Sequence, residues 1–264
     1  MVKENSRTES GEVEVKDKKI IEINGLTKRY NDFIAVDHIT FSVFEGEIFG
    51  FLGPNGAGKT TTILMLLGLS EPTEGWAKVL GMDPLKEPLK IKRMTGYLQE
   101  NMGFYRDLNA FQMLDFIAEL NGITGEDKDR RINEALRSVG LLERAKKKIE
   151  TYSRGMRQRL GIAEILLKAP KLAFLDEPTL GLDPDATNKM LGLIESLSRK
   201  NGMTVVLSTH MLDQAQKICD RFGIMINGRM IARGTIEELA GEKFNIDNKT
   251  YTLEEVYMKY FKEA

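Results

Sequence analysis

Ile48-Phe-Gly-Phe-Leu-Gly-Pro-Asn-Gly-Ala-Gly-Lys-Thr-Thr-Thr-Ile63, IFGFLGPNGAGKTTTI, changes character twice. Ile48–Leu52 is an apolar run of strand length, and Thr60–Leu67 reads as a helix. Between them Gly53-Pro-Asn-Gly-Ala-Gly58-Lys59-Thr60 satisfies G-x-x-x-x-G-K-[ST]. Glycines let backbone N–H groups turn inward around phosphate oxygens. Lys59 can then reach the β- and γ-phosphates, and the Thr60 hydroxyl can ligate Mg²⁺. The following helix points its positive end at the same anion. The dinucleotide fingerprint G-x-G-x-x-G is not satisfied at 56–61.

A second stretch needs a partner. Lys171-Leu-Ala-Phe-Leu-Asp-Glu-Pro178 reads as a buried strand ending in two adjacent carboxylates. Neighbouring strand residues point to opposite faces, and an unpaired buried charge is costly. Beside a phosphate loop, Asp176 suits Mg²⁺, held directly or through water. Glu177 would lie near the γ-phosphate and accept a proton from an attacking water.

The bulk numbers bound the rest. The chain has 264 residues, which suits one large domain or a domain with an inserted lobe. Lys and Arg total 38 against 39 Asp and Glu, so charge gives no case for a nucleic-acid partner. Cys219 is the single cysteine, which excludes an intrachain disulfide, and it reads as a small apolar filler. The polar start of the chain lacks the apolar middle of a signal peptide, and no apolar run approaches the ~20 residues of a membrane span. The expectation is a protein soluble by itself that docks on a membrane protein.

Residues 1–18 read as a flexible tail. The stretches IIEING and ITFSVF read as strands, as do Leu172–Leu175, Thr204–Ser208 and Phe222–Ile226. These last alternate with helical patterns at Asp185–Arg199 and Leu212–Asp220, which indicates a parallel sheet covered on both faces. From about 100 to 168 the pattern is helical throughout, over Asp107–Asn121, Asp127–Val139 and Ser153–Leu167: a helical lobe inserted into an α/β core. At the C-terminus, Thr252-x-x-Glu255 is a capping box, and Leu253, Val256, Tyr257 and Tyr260 share one helix face.

Taken in order, the Gly53–Thr61 loop, Tyr152-Ser-Arg-Gly-Met156, Leu172–Glu177, Gly181-Leu-Asp183-Pro and Ser208-Thr-His210 resemble the ATP-binding subunit of an ABC transporter over about residues 19–264. The loop, the GLDP turn and Asn227-Gly-Arg-Met-Ile-Ala-Arg-Gly-Thr235 are similar to exporter-type subunits serving separate permeases of the ABC-2 kind. The resemblance implies a P-loop NTPase (RecA-like) parallel-sheet core, an N-terminal antiparallel β subdomain and an inserted α-helical subdomain. It divides the chain into an ATPase domain over 19–238 and a small helical extension over 239–264. It implies ATP and Mg²⁺ as cofactors. ATP would contact Gly53, Pro54, Asn55, Gly56, Ala57, Gly58, Lys59, Thr60 and Thr61, with Tyr30 stacked on adenine. Ser153 and Gly155 would bind the γ-phosphate held by the opposite subunit, and Asp183 would lie in the loop that crosses between subunits. His210 would contact the γ-phosphate and help hold the attacking water, completing a catalytic set with Glu177 and Lys59. Thr60, Asp176 and Glu100 would face the metal.

Two departures stand out. The family's Leu-Ser-Gly-Gly-Gln reads here Tyr-Ser-Arg-Gly-Met, with Arg154 putting a cation where the second site's phosphate would sit. In the loop entering the helical lobe the family's Gln position falls on Glu100, with Gln99 one residue earlier as the alternative. The implied partners are a separate transmembrane permease and a second ATP-binding subunit, identical or not. Phe104 and Tyr105 sit where the family receives its permease, and the protein would work at the inner face of the cell membrane. The alternative is a soluble ATPase of the same family without a permease, such as a cluster-assembly ATPase. A coiled-coil repair type fails because the lobe has no sustained heptads.

Overall fold

A computed structural model describes residues 18–243 and 251–263. The expected tail lies outside the described residues over 1–17, as do 244–250 of the C-terminal extension. In chain order the strands and helices are β1 (Lys19–Tyr30), β2 (Phe33–Phe44), β3 (Ile48–Leu52), α1 (Lys59–Leu66), β4 (Glu74–Val79), α2 (Pro88–Met94) and β5 (Thr95–Leu98). There follow α3 (Ala110–Leu120), α4 (Gly125–Ser138), α5 (Arg154–Leu167), β6 (Leu172–Asp176), α6 (Pro184–Asn201), β7 (Thr204–Thr209) and α7 (Leu212–Ile218). The chain continues with β8 (Arg221–Ile226), β9 (Arg229–Gly234), α8 (Ile236–Lys243) and α9 (Leu253–Glu263).

Two sheets form. The first is antiparallel, ordered β2-β1-β4. The second is ordered β5-β6-β7-β3-β8-β9 and is parallel except for the β8–β9 hairpin. Strands β3, β6 and β7 are buried at every residue, as unbroken apolar runs covered on both faces should be. The parallel register sets Leu52 beside Thr209 and Asp176 beside Ser208. The carboxyl ends of β6, β7 and β3 therefore lie side by side, the edge where open α/β sheets bind ligands.

The helices α3–α5 intervene between β5 and β6 and share a core of Leu114, Leu136, Leu160 and Ile149. Glycines let this lobe approach the sheet. A Cβ on Gly96 of β5 would stand 2.3 Å from Ile165, and one on Gly161 of α5 would stand 2.5 Å from Leu98. Phe104, Leu108 and Phe111 are partly buried against the lobe's core and Met113 is buried, so of this group only Tyr105 stands out, 61% exposed.

Cys219 packs as a filler. Its sulfur is 3.0 Å from where a Cβ on Gly50 of β3 would stand, and burial pushes its thiol pKa up. The native protein is expected to react with a disulfide reagent at pH 8 at least roughly tenfold more slowly than the urea-unfolded chain, because the thiolate is the nucleophile. Equal rates would show that the thiol is open.

Candidate active site

The phosphate loop is built on backbone that only glycine adopts without strain. Gly53, Gly56 and Gly58 have φ of 154°, 80° and 103°. A Cβ on Gly53 would stand 2.1 Å from the Met225 carbonyl oxygen, and one on Gly58 2.4 Å from that of Ala35. A Cβ on Gly56 would meet nothing within 4 Å. Forcing a side chain at Gly58 costs ~1–3 kcal/mol in conformation before the clash is counted. For a chain of this size the Gly58→Ala variant should melt at least ~2 °C lower, and an unchanged melt would show that the loop rearranges freely.

Lys59, the first residue of α1, is 5% exposed. Its Nζ donates to the carbonyls of Gly53 (2.7 Å) and Pro54 (3.1 Å) and lies 3.8 Å from Glu177 Oε1. Burial lowers its pKa, and the charges of Glu177, Asp176 and Glu100 oppose that shift. Glu100 thus bears electrostatically on the site, whereas Gln99 beside it is exposed.

Asp176 and Glu177 do not end up on opposite faces. Asp176 closes β6, and Glu177 takes a left-handed backbone (φ 48°) that turns its carboxylate to the same side. Such a conformation in a non-glycine residue persists only where its surroundings over-determine it. Here the Glu177 N–H donates to the Ser208 carbonyl (3.0 Å), and its own carbonyl accepts from Leu180 N–H (3.1 Å). Its carboxylate accepts from Thr209 Oγ1 (3.2 Å) and from His210 Nδ1 (2.8 Å). Asp176 accepts from Thr60 Oγ1 (2.7 Å) and from the Ser208 hydroxyl. Burial with the Asp176 charge nearby pushes the Tyr97 phenol up to about 12.

The donor set fits the expected cofactors. Thr60 and Asp176 present hard oxygens side by side, suited to Mg²⁺. Among the described residues no cluster of three His, Cys, Asp or Glu could hold a metal unaided, so the remaining ligands would be phosphate oxygens and water, the habit of Mg²⁺. The glycine cradle, closed by a buried ammonium, fits a polyphosphate.

A second cluster holds the other candidates. Ser153 caps α5 by accepting from Met156 N–H (3.2 Å), and Asp183 caps α6 by accepting from Ala186 N–H (2.8 Å). The two helix starts touch, since a Cβ on Gly155 would stand 3.2 Å from Ala186 Cβ. Arg154 does not project freely. Its guanidinium covers Gly181, where a Cβ would stand 2.7 Å from Nη1. Both caps bond locally. Tyr30 lies exposed at the β1–β2 hairpin, with Lys28 Nζ 4.9 Å above its ring. The structure does not bring Ser153, Gly155, Asp183 or Tyr30 into the Lys59–Glu177–His210 network.

Sequence reasoning left three parts without roles. Ser208 and Thr209 fix the two carboxylates. Their position before His210 on a strand neighbouring β6 was the available signal. Tyr257, on α9, lines a cavity of about 280 Å³ with Gly53, Pro54, Asn55, His210 and Leu212. Nothing local to residue 257 indicates that placement.

The site and fold place the protein among ATP-binding cassettes. The ABC transporter family model matches residues 36–180, and the chain belongs to that family. It is 41% identical over 232 residues to the bacitracin transport ATP-binding protein BcrA of Bacillus licheniformis, covering 88% of this chain and 73% of that protein. It is 38% identical over 240 residues to the probable multidrug ABC transporter ATP-binding protein YbhF of Escherichia coli, covering 91% of this chain but 41% of YbhF. The chain thus spans less than half of that relative. A solved ATP-binding subunit of an ABC transporter superposes with a TM-score of 0.80 at 32% identity, covering 92% of this chain and 99% of that one.

Proposed function

We propose that the protein binds and hydrolyses ATP to power a separate membrane permease of the ABC-2 kind, in export. The observation that carries this reading is the continuous contact network from Thr60 through Asp176, Ser208 and Glu177 to Lys59 and His210 at the carboxyl ends of β3, β6 and β7. The catalytic roles go to Glu177, as general base, with His210 and Lys59 as γ-phosphate contacts. Gly53–Thr61 would cradle the phosphates, and Thr60 and Asp176 would hold Mg²⁺, with Glu100 facing it. Bound there, Mg²⁺ would neutralise charge on the β- and γ-phosphates. Lys59 and His210 lie against Glu177. A γ-phosphate would offer both groups a more highly charged partner and leave Glu177 free to take a proton.

The Ser153 and Asp183 helix starts would serve the ATP of a second subunit. One assembled site then needs two chains, and hydrolysis removes the bridge between them. The difference in free energy between bridged and open pairs would drive the permease. We assign residues 19–238 to the ATPase unit, with the lobe at about 100–168 as its permease-facing part and 239–264 as an extension. The exposed Tyr105, edge-on to exposed Phe116 at 6.0 Å between ring centres, gives that lobe an apolar contact for the permease. Among the described residues no helix is long and apolar enough to cross a membrane, so a membrane location would come through that partner.

The test is affinity purification of tagged Glu177→Gln protein from detergent-treated membranes with ATP, followed by mass spectrometry. A co-purifying polytopic protein is expected. A stable soluble partner and no membrane protein would overturn the permease reading in favour of a soluble cluster-assembly type.

A further inference from the structure

We propose that the C-terminal helix α9 belongs to the ATPase site, with Tyr257 as a positioning residue that walls the cavity shared by the phosphate loop and His210 and limits the histidine to its working orientation. This rests on the reading of His210 as a γ-phosphate contact. Three observations carry it.

The first is place. Tyr257 shares a cavity wall with Pro54 and Asn55 of the loop, with His210, and with Leu212, two residues beyond the histidine. The second is rigidity. Leu253, Val256 and Tyr260 of α9 are buried in one apolar cluster with Ala215 of α7, Phe222 and Ile224 of β8, and Leu239 of α8. Gln216 of α7 accepts a hydrogen bond from the Leu253 N–H (2.8 Å). The Tyr260 hydroxyl donates to Glu242 (2.6 Å), and Lys243 pairs with Glu263 (2.5 Å). The helix is therefore clamped to α7, whose first residue Leu212 belongs to the same cluster. The third is the ring itself. Tyr257 stacks on Phe261 one turn later, with centroids 5.9 Å apart and planes 20° apart, which restricts its side-chain torsions.

His210 has one fixed bond, from Nδ1 to Glu177, and its side chain is about one-third exposed. A single bond leaves an imidazole free to swing about it. A flat aromatic wall across the shared cavity limits that freedom. Small misplacements of a catalytic group are costly in rate while leaving ground-state binding intact.

The experiment is steady-state ATP hydrolysis by the full chain, with Tyr257→Ala, Tyr257→Phe and His210→Ala beside wild type. We expect Y257A to lower kcat about tenfold with KM for ATP within about twofold, and Y257F to restore wild-type kcat, since the wall is the ring and not the hydroxyl. Tyr257 is half-buried at the edge of that cluster, whose fully buried α9 members are Leu253, Val256 and Tyr260, so thermal melting should find Y257A folded. Should it melt early, Tyr257→Leu, which keeps apolar bulk without a flat face, carries the same expectation. A kcat within twofold of wild type, a change confined to KM, or a Y257F as slow as Y257A would each overturn the proposal. If H210A also keeps full kcat, the histidine assignment has failed. If H210A is inactive and Y257A is normal, only the role of α9 has.

Discussion

Glu177→Gln is expected to lower ATP turnover by at least ~10²-fold, the lower bound of what a positioned general base contributes. ATP affinity should stay the same or improve. The substitution changes one atom and conserves volume. Its remaining oxygen can still accept from Thr209 or His210, each of which bonds one carboxylate oxygen in the native protein. Lys59 loses its ionic neighbour at 3.8 Å but keeps the Gly53 and Pro54 carbonyls, so the ammonium stays in place. The change also removes a negative charge from beside the γ-phosphate position, which relieves like-charge repulsion. An amide cannot take a proton from water at neutral pH, so binding and turnover separate. Phosphate release measures one and titration with a fluorescent ATP analogue the other. Wild-type turnover in this variant would remove Glu177 from the chemistry. Glu177→Ala is a poorer test, because it strands the His210 and Thr209 donors at ~1–3 kcal/mol if they stay buried.

The phosphate loop and the buried strands could be read from the chain because their signals are local. Ile48–Leu52, Leu172–Asp176 and Thr204–Thr209 are apolar runs buried on both sides, and the glycines of 53–58 sit where the backbone demands them. Strand β1 was harder to read. IIEING ends at a glycine, yet the strand runs on to Tyr30 through a bulge at Gly25 (φ 57°). The Gly25 N–H donates to Thr40 Oγ1 of the neighbouring strand (2.9 Å), an interaction set by pairing and not by local preference. Strand β4 escaped for a related reason. In Glu74–Val79 only Ala77 and Val79 are buried, too short an alternation to register.

The pair Asp176–Glu177 marks where reading the chain stops. Alternation along a strand puts them on opposite faces, and nothing in the residue type announces a left-handed glutamate. That conformation is imposed by Ser208, Thr209 and His210, thirty-odd positions away, through bonds that exist only once β6 and β7 pair. The placement of Tyr257 and Asn55 on one cavity wall has the same character over a longer span. A helix pattern shows which face is apolar. Here Leu253, Val256 and Tyr260 are buried in the core, while Tyr257, on the same stripe, packs at that core's edge and also lines the cavity beside the site.

Lys59→Ala should weaken ATP binding by about 10²-fold and abolish measurable turnover. A hydrogen bond to a charged group contributes ~1.5–3 kcal/mol, and each 1.4 kcal/mol is a factor of ten. One or two such bonds to phosphate therefore cover the expected loss. Stability is the competing explanation, because Lys59 is a buried charge. Its removal leaves Glu177 without a cation at 3.8 Å and two carbonyls without a donor. Against this, burial already lowers the lysine's pKa, so its charged form is held at a cost that the variant does not bear. The two effects offset, and the melting temperature without nucleotide should move by only a few degrees. Ligand-induced stabilisation then separates affinity from folding. At an ATP concentration of one hundred times the wild-type Kd, wild type gains ~2.7 kcal/mol, whereas a variant bound a hundredfold more weakly gains ~0.4 kcal/mol. A thermal-shift series with Mg²⁺ and ATP reads this difference directly. Equal shifts in the two proteins would mean that the ammonium does not touch phosphate. A large drop in the nucleotide-free melt would mean that Lys59 serves chiefly to neutralise Asp176 and Glu177.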